Sequence, residues 1–156
     1  MTDVEFSRLM SELTDTAKAL NQESDSINDL IARFEEKLRT ANLGIELWLT
    51  DALESDPWAE KDETGEIIAR GTQDVQLGFA RFRGNKWHLV TRNASYRRDG
   101  DSWEPTDRID TRRTLLEESR DVRIAALAKF PSLARELKQA GAAAVQTIRE
   151  AKKYVK

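Results

Sequence analysis

The chain has 156 residues, the length of one ordinary domain with a single core. Charged residues make up 34% of it and apolar residues 39%, which is polar but not poor enough in apolar side chains for disorder. It contains no cysteine, which excludes disulfides, thiol catalysis and cysteine-ligated metal sites. The formal net charge of −3 disfavours a general nucleic-acid-binding protein.

The first ten residues are too acidic for a signal peptide, and no run of about 18 apolar residues occurs in the sequence. We therefore expect a cytoplasmic protein that does not insert into a membrane.

Charges are segregated along the chain. Residues 1–36 contain nine acidic and three basic side chains, and residues 51–66 contain seven acidic side chains against Lys61. Residues 67–98 have seven basic side chains against Asp74. Segments of opposite charge attract one another within a chain or between subunits, and they also steer charged partners. We favour attraction within the protein as the explanation.

The first 42 residues have the pattern of a long helix. Apolar residues recur at alternating spacings of four and three with only Ser24 polar, which is a heptad seam. The seam consists of Phe6, Met10, Leu13, Ala17, Leu20, Ser24, Ile27, Ile31, Phe34, Leu38 and Ala41. A continuous helix over residues 3–40 would be about 55 Å long, longer than a domain of this size is wide. Part of the seam must therefore find a partner.

Residues 21–26 are the weak point of this helix, because poor helix formers cluster there and Ser26 could cap a second helix. A helical hairpin is the alternative, but we favour a continuous helix because the heptad phase carries across the segment. The seam could pack in the chain's own core, on the C-terminal helix, or against a second copy. We predict a homodimer that self-associates through Phe6, Met10, Leu13, Leu20, Ile27, Ile31 and Phe34.

Residues 117–156 are predicted to form two helices that pack with the N-terminal helix. Ser119 can cap the first, and Pro131 suits the start of the second while disfavouring helix in Phe130. The second helix is rich in alanine, and Gly141 within it indicates a close approach by another helix.

Residues 43–116 are predicted to form a small antiparallel sheet of three to five strands. Apolar residues alternate from Ile45 to Leu49, whereas Pro57 and Gly65 favour a loop over the acidic residues 51–66. The order of helix, strands and helices makes the whole chain a single α+β domain.

Residues 75–92 are predicted to form the central β-hairpin, with Gly84 and Asn85 as a two-residue turn. In this register Phe82 and Trp87 share one face, and the basic residues near the turn share the other. We predict that this basic tip contacts a macromolecular partner through Arg81, Arg83, Lys86 and Arg97. A nucleic acid is the alternative partner, but it is disfavoured because the aromatic rings would lie on the face opposite the arginines.

Catalytic chemistry has little support in the sequence. The single histidine, His88, is expected on a strand among arginines, and no phosphate-binding glycine loop or nucleophile motif occurs. Residues 51–66 lack the ligand order of a calcium loop, although a cation-dependent enzyme built on them is the second alternative. We predict a non-enzymatic accessory protein that works by interaction, with no catalytic residue, no metal site and no cofactor.

Overall fold

The computed structural model describes residues 1–99, 102–106 and 111–155. Within these residues a long helix is followed by an antiparallel sheet of six strands and two further helices, so the predicted α+β class is confirmed. The helices are α1 (Asp3–Ala41), α2 (Arg120–Leu127) and α3 (Phe130–Lys152). The strands are β1 (Leu47–Trp48), β2 (Glu54–Lys61), β3 (Ile67–Phe82), β4 (Lys86–Asp99), β5 (Ser102–Pro105) and β6 (Arg112–Thr114).

The first helix, α1, is continuous, as its heptad phase predicted. It begins with a capping box, in which the Glu5 amide donates to the Thr2 hydroxyl and the Thr2 amide donates to the Glu5 carboxylate. It ends at Asn42, which adopts the left-handed conformation. The poor helix formers at residues 21–26 do not interrupt it, because each costs only about 0.5 kcal/mol whereas a break would require a second helix nucleation.

The sheet is built around the hairpin of β3 and β4. On one side β1 and β2 pair with successive parts of β3, and on the other side β6 and β5 pair with successive parts of β4. Because β3 has 16 residues, the hairpin is about 50 Å long at roughly 3.3 Å per residue. The residues that β3 and β4 contribute to the core, Leu77, Phe79 and Leu89, lie in the half of the sheet nearest the hairpin loop.

The hairpin loop differs from the prediction. Phe82 pairs with Lys86, so the loop contains residues 83–85 instead of Gly84 and Asn85 alone. Arg83, Gly84 and Asn85 all have positive φ (39°, 69° and 62°), so Arg83 has a backbone conformation that its residue type does not favour. The longer loop shifts β4 by one position relative to β3, so Trp87 shares a face with Arg81 and not, as predicted, with Phe82.

The acidic segment also differs from its prediction as a loop over residues 51–66. Much of it forms β2, which pairs with the first half of β3. Pro57 is compatible with this strand because β2 lies at the edge of the sheet, where proline is tolerated. The strand is held by Trp58, whose indole ring lies over Gly71 where a Cβ atom would overlap it.

The core lies between one face of the sheet and the three helices. Paired residues and residues two apart on a strand share a face, so Leu77, Phe79 and Leu89 all point towards the helices. Phe34 of α1 stacks on Phe130 of α3 with ring centroids 4.3 Å apart, so the predicted packing of the C-terminal helices on α1 is confirmed. The buried core residues are Ile31, Leu49, Leu77, Phe79, Leu89, Leu115, Val122, Ala126, Leu133 and Leu137.

The C-terminal half of α1 is fastened to the outer edge of β4 by two charged side chains. Glu35 is buried; it accepts the Leu89 amide at 2.8 Å and forms an ion pair with Arg39 at 2.6 Å. Arg39 in turn donates from Nε to the Trp87 carbonyl at 2.6 Å. Helix side chains thus satisfy the Leu89 amide and the Trp87 carbonyl on the edge of β4, next to the stretch that pairs with β6.

We expect Glu35→Ala to lower the free energy of unfolding by about 1–3 kcal/mol, because it leaves the buried Leu89 amide and the Arg39 guanidinium without this acceptor. Urea denaturation followed by tryptophan fluorescence measures the loss. Glu36→Ala is the matched control, because the Glu36 side chain is 69% exposed and its removal should change the free energy by less than about 0.5 kcal/mol. Equal losses for the two variants would contradict the role assigned to Glu35.

Candidate functional site

The N-terminal half of α1 extends from the rest of the protein as a single helix. Every residue from Met1 to Glu23 is exposed, and Ser24 is the first that the rest of the chain partly covers. We call residues 3–23 the helical arm; it is about 32 Å long at roughly 1.5 Å per residue. We call the apolar side of this arm the arm stripe; it consists of the seam residues Phe6, Met10, Leu13, Ala17 and Leu20.

The structure divides the residues predicted for self-association between two environments. Four lie on the arm stripe with 43–55% of their surface exposed: Phe6, Met10, Leu13 and Leu20. The other three pack in or against the core: Ile27, Ile31 and Phe34. Since Ile31 is 0% exposed, this part of the seam already has its partner within the chain and is not available to a second copy.

The positions that flank the arm stripe are almost free of charge. They are Ser7, Leu9, Thr14, Thr16, Asn21 and Glu23. The hydroxyls of Thr14 and Thr16 donate to main-chain carbonyls four positions earlier in the helix, at 2.9 and 3.0 Å. These two donors would therefore remain satisfied if another molecule covered the stripe.

The hairpin tip contains three of the four residues predicted to contact a partner, but the observed register separates them. The Arg81 guanidinium lies 5.4 Å from the centroid of the Trp87 ring, on the helix side of the sheet. Lys86 points to the opposite side. Arg83 forms an ion pair with Glu117, and its hydrogen bond lowers the pKa of that carboxyl group. The positive charge at the tip is therefore less concentrated than predicted.

Arg97, the fourth predicted partner residue, lies at the other end of the hairpin. It is ten positions beyond Trp87 on β4, about 33 Å away at roughly 3.3 Å per residue. It lines a cavity of about 450 Å³ that also includes Trp58, Glu60, Gln73, Ser95 and Thr106. The structure therefore does not bring Arg97 together with the tip.

Another cavity, of about 340 Å³, lies between the C-terminal end of α1 and the hairpin. Its lining residues are Leu38, Arg39, Asn42, Leu43, Gly44, Phe79, Lys86 and Trp87. The volume is at the lower end of the range for small-molecule sites. Arg39 and Lys86 are the two basic side chains that line this cavity. Arg39 already donates hydrogen bonds to the Trp87 carbonyl and the Glu35 carboxylate.

The sheet face opposite the helices, which we call the open face, combines aromatic and basic side chains. The Trp48 ring lies over Gly78, and the guanidinium carbons of Arg92 and Arg112 are 4.2 and 5.3 Å from its centroid. These are favourable cation–π distances. The cluster was not predicted from the sequence because it joins three strands, although an isolated glycine within a strand, such as Gly78, is a known signal of close approach.

The open face continues along the sheet beyond the helices. Arg98 lies 6.0 Å from the centroid of the Trp103 ring, and Tyr96 on the same face accepts a hydrogen bond from Gln76 at 2.9 Å. Arginines and aromatic rings thus share one face, which is the arrangement that the predicted hairpin register did not provide.

His88 and the acidic segment were the residues with potential for catalytic or metal chemistry. His88 Nδ1 lies 2.9 Å from the Arg39 guanidinium and 3.4 Å from the Glu35 carboxylate, so it belongs to the contact between α1 and the edge of β4. Acidic side chains on β2 are spread along an extended strand. Within the described residues, no group of three or more His, Cys, Asp and Glu side chains could hold a metal ion.

The helical arm is exposed along its whole length, and the open face has exposed basic side chains at Arg70, Lys86 and Arg98. No helix in the part of the chain that the structure describes is long and apolar enough to cross a membrane. Comparisons with known protein families, with curated proteins and with solved structures found no match to this chain.

Proposed function

We propose that this chain is a non-enzymatic interaction protein that self-associates through the helical arm and presents its sheet, with the basic tip, to a macromolecular partner. The observation that supports self-association is the row of half-exposed apolar side chains on the arm stripe. A single helix of this length is marginally stable in water, and most helices gain their stability by packing an apolar side. A homodimer is the simplest assembly that covers the stripe.

The strength of this association can be estimated from the side chains involved. Full burial of a large apolar side chain contributes about 1.5–3 kcal/mol, so a half-exposed one gains about 1 kcal/mol. Five such side chains on each of two arms supply about 10 kcal/mol: Phe6, Leu9, Met10, Leu13 and Leu20. Association itself costs about 4–15 kcal/mol. The dimer is therefore expected to be reversible and to depend on protein concentration.

Leu13→Asp should convert the dimer into a folded monomer, because it places a carboxylate in the middle of the arm stripe. Light scattering at several concentrations measures the mass, and circular dichroism on the same samples measures the fold. Leu13 is 55% exposed, so its replacement leaves the core intact.

Leu116→Asp is the matched control for this substitution, because Leu116 is 43% exposed but lies outside the arm. This variant should remain a dimer. A wild-type protein that is monomeric at every concentration reached would contradict self-association.

A single-stranded nucleic acid is a second candidate for the partner of the open face. Bases stack on aromatic side chains while arginines and lysines neutralise phosphates, so a binding surface needs both on one side. The basic residues of the open face are Arg70, Lys86, Arg92, Arg98 and Arg112. Among the described residues of this face, Glu46 and Asp74 oppose them, and Glu46 is paired with Arg112 at 3.5 Å. Counted over the described residues alone, five basic side chains on this face thus accompany two acidic ones.

Fluorescence anisotropy of a labelled single-stranded oligonucleotide tests this candidate. Arg70→Glu with Arg98→Glu should weaken binding and reduce the slope of log K against log salt by about 1.4, because each of the two phosphates that an arginine no longer neutralises contributes about 0.7 for a single strand. Arg113→Glu is the control, because Arg113 is exposed and pairs with Thr91 on the helix side of the sheet. An oligonucleotide that does not bind the wild-type protein at low salt would exclude this candidate.

A further inference from the structure

We propose that two helical arms pack antiparallel, in a register that places Met10 of one chain against Leu20 of the other. This inference rests on the proposed function, because it specifies how the second copy covers the arm stripe. It follows from where the rest of the protein lies around α1, from the order of large and small residues on the stripe, and from the charges beside it.

The position of the core determines the orientation of the two arms. The stripe continues into Ile27, Ile31 and Phe34, which face the core, and a heptad seam turns by only about 20° per heptad around a straight helix. The stripe and the rest of the protein therefore lie on the same side of α1. In a parallel pair, the sheets and C-terminal helices of both chains would compete for the space between the two α1 helices at the same end. In an antiparallel pair, they lie at opposite ends and do not collide.

The order of residues along the stripe determines the register. In an antiparallel pair each layer joins the two different seam positions of the heptad, which allows two registers for arms of this length. One of them places Leu20 against Asp3 and leaves the stripe beyond Leu20 uncovered. The other places every apolar residue of the stripe against a seam residue of the partner and covers the arm along its full length.

In this second register large residues meet small ones. Phe6 faces the partner's Ser24, Leu13 faces the partner's Ala17, and Met10 faces the partner's Leu20. Pairing bulky side chains with small ones lets facing layers interdigitate without voids or overlap. Ala17 and Ser24 bury little apolar surface themselves because their side chains are small. In this register they face the bulky side chains of the second chain.

The charges of the arm are compatible with pairing between identical helices. The arm has five acidic and two basic residues, which would repel a second arm if they lay beside the stripe. In the proposed register Thr14 and Thr16 each face their own counterparts across the two-fold axis, and Glu23 lies near the partner's Leu9. No like charges therefore face one another along the interface.

Disulfide trapping tests the register directly, because the natural chain has no cysteine. Met10→Cys with Leu20→Cys should give a covalent dimer on mild oxidation, whereas neither single substitution should cross-link. The two positions are about 15 Å apart along one helix, and a disulfide needs Cα atoms within about 7 Å, so the bond must join two chains. Phe6→Cys with Ser24→Cys is a second pair that should also cross-link and that leaves Met10 and Leu20 in place.

Glu12→Cys with Lys18→Cys is the matched control, because these positions are centred on the same point of the arm but face away from the stripe. This pair should not cross-link. Light scattering before oxidation separates the possible failures. A dimer in which Met10→Cys alone or Leu20→Cys alone cross-links would show a parallel pair and overturn this inference while self-association stands.

A dimer in which neither cysteine pair cross-links would also overturn the inference, because the two copies would then associate in another register or through another surface, such as the exposed Val145 and Ile148 of α3. A wild-type monomer would overturn the inference and the proposed self-association together.

Discussion

The apolar seam of α1 is longer than the core that can cover it, and the shape of the molecule follows from this mismatch. From Ile27 onwards the seam is held by the sheet and the C-terminal helices, and Glu35 and Arg39 bind the backbone of β4 beside it. Because this attachment fixes the direction of the helix, the preceding residues must extend into solvent. The arm is thus a consequence of a rigid attachment at one end of a continuous helix, and its stripe of half-exposed apolar side chains is not covered by the described residues of the chain.

The second constraint is the length of the β3–β4 loop. One additional loop residue reverses the orientation of every side chain on β4, so it decides which groups face the helices and which face solvent. With the observed register Leu89 enters the core, and Arg92 joins Trp48 on the open face. The combination of rings and arginines on that face is a property of the register and not of the composition alone.

Much of the helical structure could be predicted from the sequence, because its signals are local. The heptad phase of α1, the Ser119 cap of α2 and the break between α2 and α3 all depend on residues within a few positions of one another, although α3 begins at Phe130, where Pro131 was expected to disfavour helix. The length of the β3–β4 loop was harder to predict. Gly84 and Asn85 are typical of a two-residue turn, and no sequence pattern indicates that Arg83 adopts a positive φ.

The features that were not predicted depend on contacts between distant residues. β2 contains three acidic residues and a proline, which are rare in strands, yet it pairs with β3 along its length, and the Trp58 ring packs over Gly71. Likewise, Glu35 meets Leu89 across 54 positions of sequence. The seam itself could be located from the sequence, but apolar spacing does not reveal which part of it the same chain covers. Only the structure shows that Leu13 is exposed whereas Ile31 is buried in the core.

Hydrogen exchange of the arm amides at several protein concentrations tests most directly whether a second copy completes the fold. If the arm is stabilised by a partner, amides of residues 7–23 should exchange slowly at high concentration and rapidly after dilution, since a lone helix of this length is marginally stable. Amides of β3 and β4 should not change with concentration over the same range. Arm amides that exchange at one rate at all concentrations would contradict the claim that another copy of the chain covers the stripe.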